Sequence, residues 1–267
     1  METQKFQNTK ILITGASMGI GRELALAFAE EGAQCILVAR SADKLEQVAK
    51  EIKAVRAPEA LVLEADVCRA EDQKKILEAV SKKFEHLDIL IHNAGKGVYS
   101  FIEHLPVEEA RTLMELNFFA PLILTQLFLP LLKKSQSSKK QIIHISSIAG
   151  RLSIPKMGIY SASKFALNAL GDALRIELKK EKIHVLSVYP GVTDTPFSTH
   201  ASSIDGRPES FATPGQGMSA ALVAKKILNA ACRKKRDEFI SFQNRLLASI
   251  HHHFPKFTDW MLRKFVQ

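Results

Sequence analysis

Tyr160 and Lys164 stand four residues apart at the start of an apolar-periodic stretch, and Ser147 lies thirteen residues before the tyrosine. Residues i and i+4 share a helix face, so the lysine ammonium is expected beside the phenol, holding it partly ionised at neutral pH. A phenol with a lowered pKa exchanges protons with an alcohol or a ketone. By itself a Y-x-x-x-K spacing also describes an exposed phenol next to a solvated lysine. Its meaning depends on what the rest of the chain places around it.

The surrounding elements alternate. Apolar runs that read as strands occur at Lys10 to Thr14, Gln34 to Ala39, Leu61 to Glu64, Leu87 to His92, Gln141 to Ser146 and His184 to Tyr189, with a short one near Phe239. Between and after them lie helical patterns at Ile20 to Glu31, Ala42 to about Val55, Ala70 to Phe84, Val107 to about Lys133, Ile159 to Lys180 and Ser219 to Arg233. Repeated βα units of this length imply a parallel sheet covered by helices on both faces. At 267 residues, 46% of them apolar, one α/β domain spanning 1–267 is the expected organisation. The stretch 196–217 breaks the rhythm with Ser, Pro and Gly, and a loop of that length in a compact domain reads as a substrate lid. The last part, 244–267, looks helical and is split by Pro255.

The turn after the first strand reads Thr14-Gly15-Ala16-Ser17-Met18-Gly19-Ile20-Gly21. Glycines there permit a tight turn and let backbone amides and a helix N-terminus approach a pyrophosphate. After the first strand of an alternating chain, this predicts dinucleotide binding. Where a carboxylate would take the ribose hydroxyls of NAD, the second strand ends in Ala39 followed by Arg40 and Ser41. A missing acid removes repulsion against a 2′-phosphate and a guanidinium binds that phosphate, so NADP(H) is favoured over NAD(H); the plainer reading is an exposed arginine opening the next helix. Asp66, beside Val67, has two physical readings: an acceptor for the adenine amino group, or an N-cap for the helix near Ala70. Asn93, Ala94 and Gly95 close the fourth strand with residues small enough for the backbone to run close to a cofactor.

As a set, TGASMGIG, the NAG of HNAG, Asn117, Ser147, Tyr160-x-x-x-Lys164 and Pro190-Gly191 with Thr195 resemble the short-chain dehydrogenase/reductase family, in its single-domain branch of roughly 250 residues, over about residues 8 to 195. The resemblance implies a Rossmann-type doubly wound, seven-stranded sheet of order 3-2-1-4-5-6-7. It implies that Tyr160 is the general acid in ketone reduction and the base in alcohol oxidation. Lys164 would lower the tyrosine pKa and bind the nicotinamide ribose, Ser147 would polarise the carbonyl, and Asn117 would hold a water in the proton relay. Ser147 is preferred to Ser146 because the thirteen-residue separation from the tyrosine is the family's. The segment Pro190-Gly191-Val192-Thr193-Asp194-Thr195 would hold the carboxamide. Independently, Pro121 has no amide hydrogen and cannot close a helical bond to the carbonyl of Asn117, which frees that carbonyl for a water. Two departures from the family pattern are His92, in place of an asparagine, and Met18, at a turn position often basic in NADP-preferring members.

Tyr99, Phe101, Leu152, Ile154, Met157 and Phe197 are the candidate pocket residues beside Ser147 and Tyr160. They are largely apolar, so the expected substrate is a hydrophobic carbonyl or alcohol, lipid-, steroid- or xenobiotic-like. By resemblance the chain forms a homodimer or homotetramer. Two other readings stand beside this one: a membrane-peripheral lipid ketoreductase, and a nucleotide-binding scaffold without turnover. Cys35, Cys68 and Cys232 are an odd, widely spaced set that suits a reducing compartment, the cytoplasm. METQKFQNTK runs into the first strand with no apolar h-region, so no secretory signal is read there. The apolar stretch Phe118 to Leu132 falls short of the roughly 20 residues of a spanning helix and reads as a buried one. Of the net charge of +9, most is C-terminal: from Lys225 onward there are 10 basic against 3 acidic residues. That tail mixes Phe254, Phe257, Trp260, Met261, Leu262 and Phe265 with Lys256, Arg263 and Lys264, a composition that suits an anionic membrane surface, the substrate pocket or a subunit interface. His251, His252 and His253 point about 100 degrees apart on a helix and do not converge on a metal. Lys234, Lys235 and Arg236 read as a solvated helix end, so no nucleic-acid partner is expected.

Overall fold

The fold is known from a computed structural model, which describes residues 4–55, 57–206 and 217–263. Seven strands form one parallel sheet: β1 (Lys10–Thr14), β2 (Gln34–Ala39), β3 (Leu61–Glu64), β4 (Ile89–His92), β5 (Gln141–Ile145), β6 (His184–Tyr189) and β7 (Asp237–Phe239). Their spatial order is 3-2-1-4-5-6-7. The crossovers are α1 (Gly19–Glu30), α2 (Ala42–Ala54), α3 (Ala70–Lys83), α4 (Val107–Lys134), α5 (Gly158–Glu177) and α6 (Ala220–Cys232). Two further helices, α7 (Phe242–His253) and α8 (Pro255–Leu262), follow β7.

The central strands are apolar at almost every position because both faces of a parallel sheet are covered. Period-two alternation then divides each strand between two cores. Ile11, Ile13, Leu37, Ile91, Ile143 and Val188 pack with Leu24 and Phe28 of α1 and Val223 and Ile227 of α6. Leu12, Ile36, Val38, Leu90, Ile142 and Val185 pack on the other face with Ile76, Val80, Leu124, Phe128 and Leu174. Strand order reverses between β1 and β4, where α1 and α4 leave on opposite faces. The resulting crevice at the carboxyl ends is where a doubly wound sheet binds its ligand.

At 28 residues α4 is longer than the apolar stretch suggested, and by length and composition it could cross a bilayer. Its apolar stripe, Leu124, Phe128, Leu131 and Leu132, is nevertheless part of the sheet's second core, as expected for a buried helix. Glu115–Phe119 is a π-helical turn, in which Ala120 N bonds Glu115 O five residues back. Pro121, lacking an N–H, follows this wide turn, a type of irregularity frequent at functional sites. His92 is accommodated inside the sheet by Thr125 of α4, whose Oγ1 lies 2.9 Å from His92 Nε2, and by His144, 5.3 Å away ring to ring.

Part of the irregular stretch 196–217 is built: Phe197–His200 forms one helical turn, and Ser202–Ser203 pairs in parallel with Val98–Tyr99. Residues 207–216 of that lid, and Lys264 and Phe265 of the tail, lie outside the described residues. Phe128 is fully buried. Phe128→Ala is expected to lower the unfolding free energy by about 3–5 kcal/mol, measured by urea denaturation.

Candidate active site

β1 delivers the chain into a turn with Gly15 (φ +66°) and Gly19 (φ +56°) in the left-handed region that favours glycine. A Cβ on Gly21 would meet Gly15 O at 2.2 Å and Asn93 Nδ2 at 2.4 Å, so only hydrogen fits. α1 then starts without a side-chain cap from Met18 and without an acid in its first turn. Its N-terminal amides are left for an anion, and this cradle fits a dinucleotide pyrophosphate. Ser17 and Met18 lie in the same turn, while Ile20 packs partly into the core.

A hydrogen-bond lock ties this turn to the end of β4. Asn93 Nδ2 donates to Thr14 O at 3.0 Å and Gly15 O at 3.1 Å. Thr14 Oγ1 accepts from the amides of Asn93 (3.0 Å) and Ala94 (3.1 Å) and donates to Ile91 O (3.3 Å). Thr14 was absent from the candidate residues. The signal in the sequence was a hydroxyl ending an otherwise apolar buried strand, where it must find partners.

Arg40, at the carboxyl end of β2, is exposed and makes no ion pair among the described residues. Ser41 occupies the N-cap of α2 without a side-chain cap bond, so its hydroxyl is also available. Asp66 is not the N-cap of α3; that position is Arg69. The carboxylate instead accepts from Cys68 N at 3.0 Å, and Asp72 of α3 reaches back to accept from Asp66 N at 2.9 Å. Val67 is buried, with its carbonyl taken by Gln73 Nε2 at 2.7 Å.

Four elements converge on the predicted chemistry. Asn117, in the π-turn and fully buried, accepts from Lys96 N through Oδ1 (3.0 Å). Its Nδ2 donates to Lys96 O and to Ser163 Oγ, both at 3.0 Å. Both side-chain N–H groups are therefore used, while Oδ1 keeps one acceptor site. Ser163 in turn donates to Tyr160 O at 2.7 Å, linking the π-turn of α4 to the first turn of α5. Ser163 is a second residue not foreseen; a serine bonding back to its own helix is indistinguishable in sequence from an exposed one. Gly95 sits against both Asn117 and Lys164: a Cβ there would be 3.1 Å from Asn117 Oδ1 and 3.5 Å from Lys164 Nζ.

Ser147 opens the short turn Ile148–Gly150 and accepts from Ala149 N at 3.1 Å, and its hydroxyl is near enough to the Tyr160 phenol to favour the ionised form. Lys164 Nζ lies 5.8 Å from the centre of the Tyr160 ring and donates to Ile145 O at 3.0 Å. Both groups are buried, Tyr160 to 6% exposure and Lys164 to 4%. Burial pushes the phenol up to about 12 against the opposing pull of the Ser147 hydroxyl, and burial pulls the ammonium down to about 8. The expected partial ionisation of Tyr160 is thus not found. Lost hydration outweighs the attraction of an ammonium engaged by a backbone carbonyl.

Of the candidate pocket residues, Tyr99, Ile154, Met157 and Phe197 form one apolar cluster with Tyr160. The Phe197 ring is 5.6 Å from that of Tyr160. Two do not join them. Phe101 turns toward His104 and Lys156, whose ammonium lies 4.9 Å over its ring. Leu152 packs instead with Ile148 and with Leu262 of the tail. The turn carrying Phe197 is anchored beyond it by Asp205, which accepts from Phe101 N (2.7 Å), Ser100 Oγ (3.2 Å) and His104 Nδ1 (2.7 Å).

In the segment after β6, Pro190 is buried, Val192 is exposed, and Thr193–Asp194 pairs with Met218–Ser219. Thr195 packs against the glycine turn, its Cβ 3.3 Å from where a Gly19 Cβ would stand, and Gly191 rests on Asn244 of α7. The tail thus touches two loops of the site, those bearing Ile148 and Gly191. His251 Nδ1 is held by Thr258 Oγ1 at 2.7 Å, while His252 and His253 contact each other. Lys235 and Arg236 are paired, with Glu238 (2.6 Å) and with Asp172 and Asp237 (3.0 and 3.2 Å).

Comparison with known proteins points in one direction. A family model described as short chain dehydrogenase matches residues 9–205. A dehydrogenase/reductase SDR family protein 7-like from Drosophila melanogaster is 33% identical over 275 residues, covering 98% of this chain and 83% of the relative. An 11-beta-hydroxysteroid dehydrogenase-like 4A from Arabidopsis thaliana is 34% identical over 235 residues, covering 88% and 77%. Among solved structures, the chain is similar to a short-chain dehydrogenase from Sphingobium yanoikuyae in complex with NADPH, at 26% identity and a TM-score of 0.79, covering 94% and 96%.

The buried lysine carries a pH signature. Lys164 is held near 8 in the folded chain against an ordinary 10.5, so between those values the unfolded state binds more protons and stability rises with pH. Wild type is expected to gain stability relative to Lys164→Met between pH 8 and 10, read by urea denaturation across that range. Equal pH slopes in the two proteins would show the ammonium to be hydrated.

Proposed function

This chain belongs to the short-chain dehydrogenase family, and we propose that it is an NADP(H)-dependent oxidoreductase that interconverts a carbonyl and an alcohol on a hydrophobic substrate, with Tyr160 as general acid/base. It is an oxidoreductase by family; the residue roles, coenzyme preference and substrate class are the proposal. One observation carries it: buried Tyr160 lies between Ser147 and Lys164, with Asn117 tied through Ser163 to the same helical turn. A nucleotide-binding scaffold has no physical need of that set.

The coenzyme, when bound, supplies or accepts the hydride. The glycine turn and the α1 amides bind its pyrophosphate, and Arg40 with Ser41 bind the 2′-phosphate. Asp66 accepts from the adenine with the carboxylate capacity its turn leaves over. Thr195 and the backbone after Gly191 hold the carboxamide end, and Lys164 the nicotinamide ribose. Ser147 donates to the substrate oxygen and orients it toward Tyr160. The phenol, neutral at physiological pH in this site, gives its proton to the developing alkoxide. Lys164 and a water on the Asn117 carbonyl return a proton to it.

The wall of Tyr99, Ile154, Met157 and Phe197 supports a hydrophobic substrate, and the hydroxysteroid dehydrogenase-like name of the Arabidopsis relative is compatible with a steroid- or lipid-like one. Self-association is part of the proposal, supported by the exposed apolar side chains Val107 and Phe119 along a cleft on α4. A second reading, contact of the C-terminal segment with an anionic membrane surface, is favoured by Phe254 (65% exposed), Phe257 (51%) and Trp260 (64%) beside Lys256 and Arg263. Sedimentation with anionic vesicles at low and high salt tests it, and absence of binding at both would remove it.

Tyr160→Phe is expected to lower ketone-dependent NADPH oxidation by about 100-fold or more while leaving NADPH fluorescence titration unchanged. Arg40→Ala is expected to weaken kcat/KM for NADPH by about tenfold and to leave that for NADH in place. NADPH binding with no turnover on any of a panel of ketones would favour the scaffold instead.

A further inference from the structure

A second concave site lies outside the catalytic crevice. It is a cleft of about 630 Å³ between the turn that Ser147 opens, the edge strand β7 and the helices α7 and α8. Six of its lining residues define its chemistry: Arg151 and Arg245, the rings of Phe165 and Phe239, and His251 and His252. No carboxylate lines it among the described residues.

The two guanidinium groups are in different states. Arg151 packs its guanidinium carbon 4.5 Å over the Tyr189 ring, bonds the Tyr189 hydroxyl, and reaches Asp237 at 3.4 Å. Its Nε is buried without a hydrogen-bond partner and is closed off from the cleft, so Arg151 contributes its charge and the position of its guanidinium and no free Nε donor. Arg245, one turn before Ser249 and two before His252 on the same face of α7, makes no side-chain ion pair or hydrogen bond among the described residues. Phe239 is stacked on Tyr189 at 4.6 Å and is a rigid wall; Phe165, following the catalytic lysine on α5, is 43% exposed and faces the same space. A positive lining with an unpaired guanidinium and two aromatic faces complements an anion carried on an apolar body. The volume is that of a small-molecule site.

We propose that this cleft binds a soluble amphiphilic anion, a carboxylate or phosphate monoester on an apolar chain or ring, with Arg245 and Arg151 on the anion and Phe165 and Phe239 on the apolar part. The site is independent of the coenzyme reading: it shares no residue with the glycine turn or with Arg40. Its position gives it a route to the chemistry, because Arg151 closes the turn that Ser147 begins.

Hexyl phosphate is the probe, with hexanol and inorganic phosphate as its two halves, titrated calorimetrically into the full chain. Hexyl phosphate is expected to bind more tightly than either half. Arg245→Ala is expected to weaken it by about tenfold or more, Arg245→Lys to weaken it less, and Arg40→Ala to leave it unchanged. Four results would overturn the proposal: hexanol binding as tightly as the phosphate, Arg245→Ala binding like wild type, loss of binding in Arg40→Ala, or attachment to anionic vesicles with no binding of the soluble probe. Arg245 is exposed on the tail, so its substitution does not endanger the fold.

Discussion

The side-chain amide of Asn93 and the hydroxyl of Thr14 hold the ends of β1 and β4 together at the one place where the sheet reverses its order. Nearly everything at the site depends on that junction. Parallel strands leave their last carbonyls and amides without ladder partners, and at a switch point the helices diverge and cannot cover them. Two side chains satisfy five backbone groups there. In doing so they bring the glycine turn within contact distance of Ala94 and Gly21 within contact of Asn93, and so set the cradle against the crevice.

Burial then governs the electrostatics. Tyr160 and Lys164 are almost removed from water, so each is pushed toward its neutral form, the phenol upward and the ammonium downward. The same dry surroundings strengthen any interaction that the Ser147 hydroxyl makes with a charge that develops during reaction. The π-turn in α4 serves the arrangement by turning Asn117 inward, where its amide grips both sides of the Lys96 peptide and reaches Ser163. A regular α-turn ending in Pro121 would have lacked the same bond in any case. The wider turn therefore costs less here than elsewhere in the helix.

Legibility differed by the range of the interaction. The strands and crossover helices could be read because a buried parallel strand is apolar throughout and an amphipathic helix repeats every 3.6 residues. Tyr160, Lys164, Ser147 and Asn117 could be read as a set because their types and order are unusual together. Thr14 and Ser163 could not, because a hydroxyl acquires a role only through its partner, and both key partners, Asn93 and Asn117, are more than forty residues away. Phe101 and Leu152 were grouped with the pocket for being apolar and for lying beside the proposed catalytic loop and lid in the sequence. In the fold Phe101 faces His104 and Lys156, and Leu152 is claimed by Leu262 of the tail.

From the chain of residues alone came the alternating strands and helices of a parallel sheet, which rest on periodicity and turn chemistry, and, through the family that its set of side chains resembles, the strand order and the groups that could exchange a proton. Tertiary structure alone decided the protonation preferences, because a pKa depends on how much water and which charges surround a group, and no local pattern records that. It also decided where the basic, aromatic tail goes. Thr258 and Leu262 of α8 turn inward, Leu262 against the turn that Ser147 opens, and Phe254, Phe257 and Trp260 remain outside. A helix with apolar residues on two faces does not state which of them its own fold will bury.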